Sequence, residues 1–478
     1  MRVISTVALS LLVLAPPGCA VPDRDDEIAK GEVPVDRGRL DRFARLVRVV
    51  EPVSLDEPEL AHVLALRRAW GLSTEVDFVQ ALHDHPAEFA ATRSTALVFA
   101  GLLLDESELD AAIERAEVEY AGPAADRWAH ANLADRYAGS FLEGPSVVLL
   151  CTGCEPDEVA TRIGADPELP EVLRGRIEVR RVAYRLVDLA RREARLAGWL
   201  RARGLRASGT TVDVIDNDVD LLAGPDALAE LAAELVTIER VVGGPIDLVP
   251  LDGETQEDIA KNEALGYGIV EAGQAIGRKP GVPWDAWCTT AFAVQNGYGP
   301  FILTAGHCVV DGQQLYQAGW PLGRVAARYN RARFDGALVS TASVRNAIGR
   351  VHVSFADDFH PVTFPVTDHD LFGQTVCQTG ITTTCMSGNC NPSTRCGTVT
   401  SQTYRPDESR EPVWGLANYH RAGGDSGAAV YWPTLYGLGA AGVHSGGALV
   451  DGTILDNLGY FSRMPVIAHD WGLSLISY

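Results

Sequence analysis

Three short stretches in the second half of the chain carry side chains that could do covalent chemistry together. Leu303-Thr304-Ala305-Gly306-His307-Cys308 sets an imidazole at the end of an apolar, strand-like run. Phe334-Asp335-Gly336-Ala337-Leu338-Val339 sets a carboxyl group just ahead of another such run. Gly423-Gly424-Asp425-Ser426-Gly427 sets a hydroxyl on a glycine-flanked turn. A serine hydroxyl is a weak nucleophile at its free pKa and needs an adjacent base, for which a neutral imidazole is suited near pH 7. The imidazole in turn needs an acceptor on its other nitrogen, to fix its tautomer and to stabilise the imidazolium. Glycines around the serine let a tight turn expose the hydroxyl and aim backbone N–H groups at a developing oxyanion. His, Asp, Ser is one of the known chain orders for such a triad. Each residue also has a plainer reading: a core histidine, a turn serine, an acid that starts a strand. Asp311 and Asp357 compete with Asp335 for the acid's place. The coincidence of three motifs favours the chemical reading.

Thr304-Ala305-Gly306-His307-Cys308 together with Gly424-Asp425-Ser426-Gly427 resembles the chymotrypsin superfamily, and most of all its secreted bacterial branch, the streptogrisin and α-lytic protease group. Gly268-Ile269-Val270-Glu271-Ala272-Gly273 resembles the start of mature enzymes in that branch. The resemblance spans about residues 268–478. It implies a serine endopeptidase with two six-stranded β-barrels, working through an acyl-enzyme, without cofactor or metal. It implies that His307 is the general base, that Asp335 orients it and that Ser426 is the nucleophile. The backbone N–H groups of Gly424 and Ser426 would form the oxyanion hole. His444, Ser445, Gly446 and Gly447 would bind an extended peptide by strand addition. Cys288 would pair with Cys308 and Cys377 with Cys396, while Cys385 and Cys390 are additional and are read as closing a small loop of their own.

Two departures stand out. Ala428 occupies a place where the family usually has glycine, and no cysteine stands just before Gly424, where many members have one. His444 matches a histidine found in glutamate-preferring members of the branch, and Arg421 lies five residues before the nucleophile. A preference for Glu before the cut bond is one reading; a packed core histidine beside an apolar pocket is the other.

The elements that must position these residues fall into two textures. The 478-residue chain carries a formal net charge of -22. From Gly268 onward, however, 13 Lys and Arg face 15 Asp and Glu, so the acidity lies almost wholly upstream. That balance argues against nucleic acid as a partner of the upstream half. Arg2 followed by apolar Val3–Leu14 reads as an export signal over residues 1–20, too short to span a membrane. Gly18-Cys19 alternatively resembles a lipoprotein signal that would anchor the chain at Cys19, but Pro16 and Pro17 favour a soluble secreted product.

Residues 27–262 read as a pro-region, which the resemblance casts as an intramolecular folding helper and inhibitor. Its part from 38 to 140 is helical in pattern, with a helix over Leu109–Ala121 that Gly122-Pro123 should stop. Its part from 141 to 250 alternates strands with helices as an α/β or α+β unit. There Thr211–Ile215 and Val219–Leu222 read as a hairpin, and Asp226 as the cap of a following helix. From about 263–268 glycine and threonine rise and short β-type runs take over, an all-β signature.

The whole is therefore a multi-domain chain: an export signal, a helical plus α/β pro-region, and a double β-barrel protease domain over 268–478, monomeric once processed and acting on peptides or proteins. Two other functions compete. One is a catalytically silent, protease-like binding protein. The other is an exported thiol-disulfide protein using Cys151 and Cys154, which sit after a strand and before a helix.

Overall fold

The computed structural model describes residues 55, 57–85, 97–99, 102–203, 209–223, 225–250, 255–257, 270–279, 287–317, 320–329, 333–341, 347–353, 358–364, 372–381, 393–406, 414–419, 421, 423–434, 437–448 and 458–476. The signal segment, Cys19, the passage around Gly268, Asp357, and the pair Cys385 and Cys390 lie outside them.

Upstream, helices cover Glu57–Ala69, Val76–Asp84 and Leu109–Leu133, with a small hairpin of Leu97–Phe99 and Leu102–Leu104 between them. The long helix does not stop at Gly122-Pro123 as the sequence predicts; Pro123 lies inside it. Proline removes one helical hydrogen bond. Yet Val118, Ala121, Ala125, Ala129 and Leu133 are all buried with Leu149 and Val159. Burial of that face carries the helix past the proline.

A ββαβ plan then appears twice. Tyr137–Glu143 and Ser146–Cys151 pair antiparallel, and the helix Pro156–Gly164 returns the chain to Ile177–Arg181, parallel to Ser146–Cys151. After the helix Leu186–Arg203, the hairpin Gly209–Asp213 and Asp218–Ala223 is followed by the helix Pro225–Val242 and the parallel strand Asp247–Pro250. Asn217 closes that hairpin at φ 58°, a left-handed conformation asparagine tolerates. The last helix begins at Pro225, so Asp226 falls in its first turn instead of capping it; proline's fixed φ suits that first position. Leu189, Leu196 and Leu200 meet Leu231, Ile238 and Val242 in the core of this second unit.

The β half holds two six-stranded assemblies. In the first, strands run in the order Gln314–Gln317, Trp320–Tyr329, Gly336–Ser340, Gly299–Thr304, Ala293–Asn296 and Ser474–Leu475, all antiparallel. In the second, Thr375–Gly380, Ser393–Pro406, Trp414–Ala417, Gly459–Arg463, Gly437–Ala448 and Ala429–Thr434 pair in turn, and the last pairs back on the first. That ring is a closed barrel, and the strands Gly437–Ala448 and Ser393–Pro406 also pair with strands outside it. Ile302, Leu315, Leu322, Val325 and Val339 fill the first core, and Val376, Val399, Val430, Ala441 and Phe461 the second.

The upstream units grip the second barrel directly. Gly209 and Thr210 pair with Pro406 and Arg405, so the barrel strand Ser393–Pro406 continues into the second ββαβ sheet. Trp70 Nε1 donates to Thr375 Oγ1 at 2.7 Å, and Arg115 donates to the Gly373 carbonyl at 2.7 Å. Glu119 Oε1 accepts from Thr375 Oγ1 at 2.9 Å; burial pushes its pKa up, against the pull of Arg115. Among the described residues no helix is long and apolar enough to cross a membrane.

Candidate active site

The three sequence motifs converge at the junction of the two barrels. The strand Gly299–Thr304 ends in a single 3-10 turn, Gly306–Cys308, which turns His307 out of the first sheet. A Cβ at Gly306 would fall 1.8 Å from the Tyr329 carbonyl oxygen, so only glycine lets the turn pack there. The disulfide Cys288–Cys308 ties the turn to the strand Cys288–Thr289.

Asp335 precedes the neighbouring strand Gly336–Ser340 and is fully buried. Its Oδ1 accepts the His307 backbone N–H at 2.8 Å and its Oδ2 meets His307 Nδ1 at 2.5 Å. Ser462 clasps the same residue from the second barrel: its hydroxyl accepts the Asp335 N–H at 2.8 Å and donates to the Asp335 carbonyl at 3.0 Å. Of the rival acids, Asp311 is 70% exposed and pairs with Arg328 at 3.7 Å, and Asp357 lies outside the described residues.

Ser426 stands before the second-barrel strand Ala429–Thr434, and its Oγ lies 2.9 Å from His307 Nε2. The turn that presents it has Gly424 at φ 107° and Gly427 at φ 86°. A Cβ on Gly427 would sit 2.2 Å from Thr304 Oγ1 and 2.3 Å from the Thr289 carbonyl oxygen. The turn is held across the barrel junction: Thr289 N–H donates to the Ser426 carbonyl and Thr289 Oγ1 to the Gly424 carbonyl, both at 2.8 Å. Ala428 needs no glycine, since it is absent from the positive-φ residues. Its N–H donates to Asp425 and its carbonyl accepts from His444, so the methyl leaves the turn's bonding intact.

The expected peptide-binding residues lie on the barrel strand Gly437–Ala448. The Ser445 carbonyl is 3.5 Å from Ser426 Oγ. His444 is fully buried, with Nδ1 at 2.9 Å from the Tyr419 hydroxyl. Burial holds its pKa well below the usual imidazole range, and the charges of Arg421 and His307 push the same way. Arg421 is buried too, and a Cβ on Gly447 would fall 2.3 Å from its Nε.

One partner of this strand escaped the sequence reading. Thr255–Glu257 lies antiparallel on it, with Glu257 opposite Gly446, Gln256 opposite Gly447 and Thr255 opposite Ala448. Three polar residues carry no alternation that would mark a strand; only the barrel edge makes them one. Of the expected bridges, Cys288–Cys308 and Cys377–Cys396 are bonded, and Cys385 and Cys390 lie outside the described residues. Cys151 and Cys154 are bonded to each other and buried at 0% and 1% exposure, which withholds both sulfurs from a thiol-exchange partner.

No family model matches the chain. Among solved structures, Thermobifida fusca Protease A is 23% identical, covering 44% of this chain and 100% of its own, with a TM-score of 0.34. Nocardiopsis Protease is 22% identical over 43% of this chain and 99% of its own, with the same score. An alpha-lytic protease homolog, N4, is 16% identical over 43% and 98%, at 0.32. Likeness of this size leaves the chemistry to be argued from the chain's own geometry.

Proposed function

We propose that this protein is an exported serine endopeptidase of the chymotrypsin-like kind, made as a zymogen in which residues 27–262 form the pro-region. The observation that carries the reading is the unbroken relay from Asp335 through His307 to Ser426, at 2.5 Å and 2.9 Å. In it Ser426 Oγ attacks a peptide carbonyl while His307 Nε2 takes its proton. Asp335 fixes the imidazole with Nδ1 protonated and offsets the imidazolium charge. The backbone N–H groups of Gly424 and Ser426 receive the oxyanion, a stabilisation worth about 3–4 kcal/mol per donor. The imidazolium then gives its proton to the leaving amine, and water, activated by the same base, hydrolyses the acyl-enzyme.

An extended substrate would pair with Ser445–Gly447 by strand addition. Thr255–Glu257 already lies on part of that strand in the uncut chain, which supports a pro-region that blocks the cleft. Three disulfides among the described residues suit an oxidising compartment, in keeping with export. The preference for Glu that His444 suggests is weakened by the site: a buried neutral imidazole offers a hydrogen bond but no charge. The test is labelling with a fluorophosphonate. The protein freed of its pro-region is expected to take the label at Ser426, and Ser426→Ala to lose it along with all peptide hydrolysis. A properly folded, processed protein that takes no label would leave the protease-like binding protein as the better reading.

A further inference from the structure

Ser462 belongs to the second-barrel strand Gly459–Arg463 and is fully buried, yet its hydroxyl bonds to the first barrel. It accepts the Asp335 N–H at 2.8 Å and donates to the Asp335 carbonyl at 3.0 Å. One side chain thus holds both backbone groups of the residue that carries the acid. A hydroxyl has one proton to give, and here it is committed to that carbonyl, so the geometry is fixed in both directions.

The place of Asp335 in the chain gives these bonds a use. It stands one residue before the strand Gly336–Ser340. That strand's pairing with Trp320–Tyr329 ends at Gly336, opposite Tyr329, and its pairing with Gly299–Thr304 ends at Ala337, opposite Thr304. The sheet of the first barrel therefore stops just short of the residue whose carboxylate must be aimed at His307. Ser462 continues the restraint from the other barrel. Its own strand is paired on both sides, with Trp414 and Val443 opposite Ser462. Val443 lies two residues before Ser445, whose carbonyl is 3.5 Å from Ser426 Oγ, and the Ser445 and Ser462 hydroxyls are 3.5 Å apart. The acid is thereby registered against the strand that lies beside the nucleophile.

We propose that Ser462 is a positioning residue of the relay: it holds Asp335 against the second barrel and so keeps the acid in line with His307 and Ser426. This rests on the endopeptidase reading of the same site. Catalytic groups displaced by about 1 Å lose about 10²-fold in rate. Ser462→Ala, in the full chain as it is exported and processed, is therefore expected to lower kcat by at least about tenfold while KM stays within about threefold. Fluorophosphonate labelling of Ser426 should slow by the same factor as kcat. Added to Asp335→Asn, which already lacks the carboxylate, Ser462→Ala should lower kcat by no more than about threefold further, because it acts through the acid. A folded Ser462→Ala protein that loses less than about tenfold in kcat, or loses its efficiency in KM instead, overturns the proposal. So does a loss in the Asp335→Asn background as large as in wild type, since that would make Ser462 a support of the barrel at large. A wild type that neither labels nor cuts peptides overturns the endopeptidase reading instead. If Ser462→Ala does not fold, Ser462→Cys decides, as its thiol is a weak donor and weak acceptor at the same place: a lowered kcat with KM kept supports the role, and an unchanged kcat overturns it.

Discussion

Asp335→Asn is the sharpest perturbation of the relay, because both carboxylate oxygens have assigned work. Oδ1 accepts the His307 backbone N–H at 2.8 Å, and Oδ2 faces His307 Nδ1 at 2.5 Å. An amide has one acceptor and one donor end. If its oxygen keeps the backbone N–H, its NH2 faces Nδ1. The imidazole must then carry its proton on Nε2, the atom that has to accept from Ser426 Oγ. If the amide turns over, the tautomer is right but its NH2 points at the His307 N–H. Leaving that buried donor unmet costs about 1–3 kcal/mol, so the competent form falls by about tenfold to hundredfold. Loss of the negative charge beside the imidazolium removes a charge-assisted bond worth about 1.5–3 kcal/mol, a similar factor again. The product is a fall in kcat of about 10²- to 10⁴-fold, the upper end being typical of this substitution in such triads. Because the first arrangement keeps both side-chain bonds to His307, the variant should fold and melt near wild type. Steady-state hydrolysis and the rate of fluorophosphonate labelling, measured beside thermal denaturation, check it. Activity within about tenfold of wild type in a normally folded Asp335→Asn protein would refute the tautomer argument.

Gly427→Ala puts a methyl at a φ of 86° and within 2.3 Å of two oxygen atoms; it should abolish labelling and cost about 2–4 kcal/mol of stability, read by denaturant titration. Thr375→Val removes the shared partner of Trp70 and Glu119 while keeping shape, so the uncut chain should lose about 1–3 kcal/mol, and removing Glu119 as well should recover part of the loss in a double-mutant cycle. Asp220 lies beside Asp213, Asp247, Asp218 and Asp216, and burial first, then their charges, raise its pKa to about 8. A folded pKa above the unfolded one means stability that is full below about pH 4 and lost as pH rises toward about 8. Asp220→Asn should therefore raise the melting temperature of the uncut chain at pH 8, with the gap closing as pH falls to about 4.

The relay was legible because each of its members announces itself within five or six residues: an imidazole after an apolar strand, an acid before one, a serine among glycines. What brings them together was not. The Ser462 clasp on Asp335 spans 127 residues, and neither side carries a local pattern that names the other. The closed second barrel was expected from the resemblance, but its order, with Ala429–Thr434 returning to Thr375–Gly380, depends on pairings that short β-type runs leave open. Pro123 misled for a related reason. Its local cost is real, and tertiary burial of Ala125, Ala129 and Leu133 outweighs it. Thr255–Glu257 is the extreme case, a strand whose only cause is the strand beside it.

If residues 27–262 are the pro-region proposed above, that strand bears on how the precursor is kept silent. A zymogen can hold its catalytic groups apart, or it can assemble them and deny them substrate. Here the relay from Asp335 to Ser426 stands within bonding reach while the upstream half is still attached, so distortion of the triad is not available as the restraint. Occupancy of the cleft is. Occupancy, unlike distortion, does not end when a peptide bond is cut. Thr255–Glu257 is reinforced by contacts far from the cleft, where Gly209 and Thr210 extend the barrel strand, and where Trp70, Arg115 and Glu119 bond to residues 373–375. Those contacts hold a short strand at high effective concentration over its site, as a tethered second module does. On this reading the step that frees the cleft is loss of the upstream units' grip on the second barrel, and cleavage matters because it allows that loss.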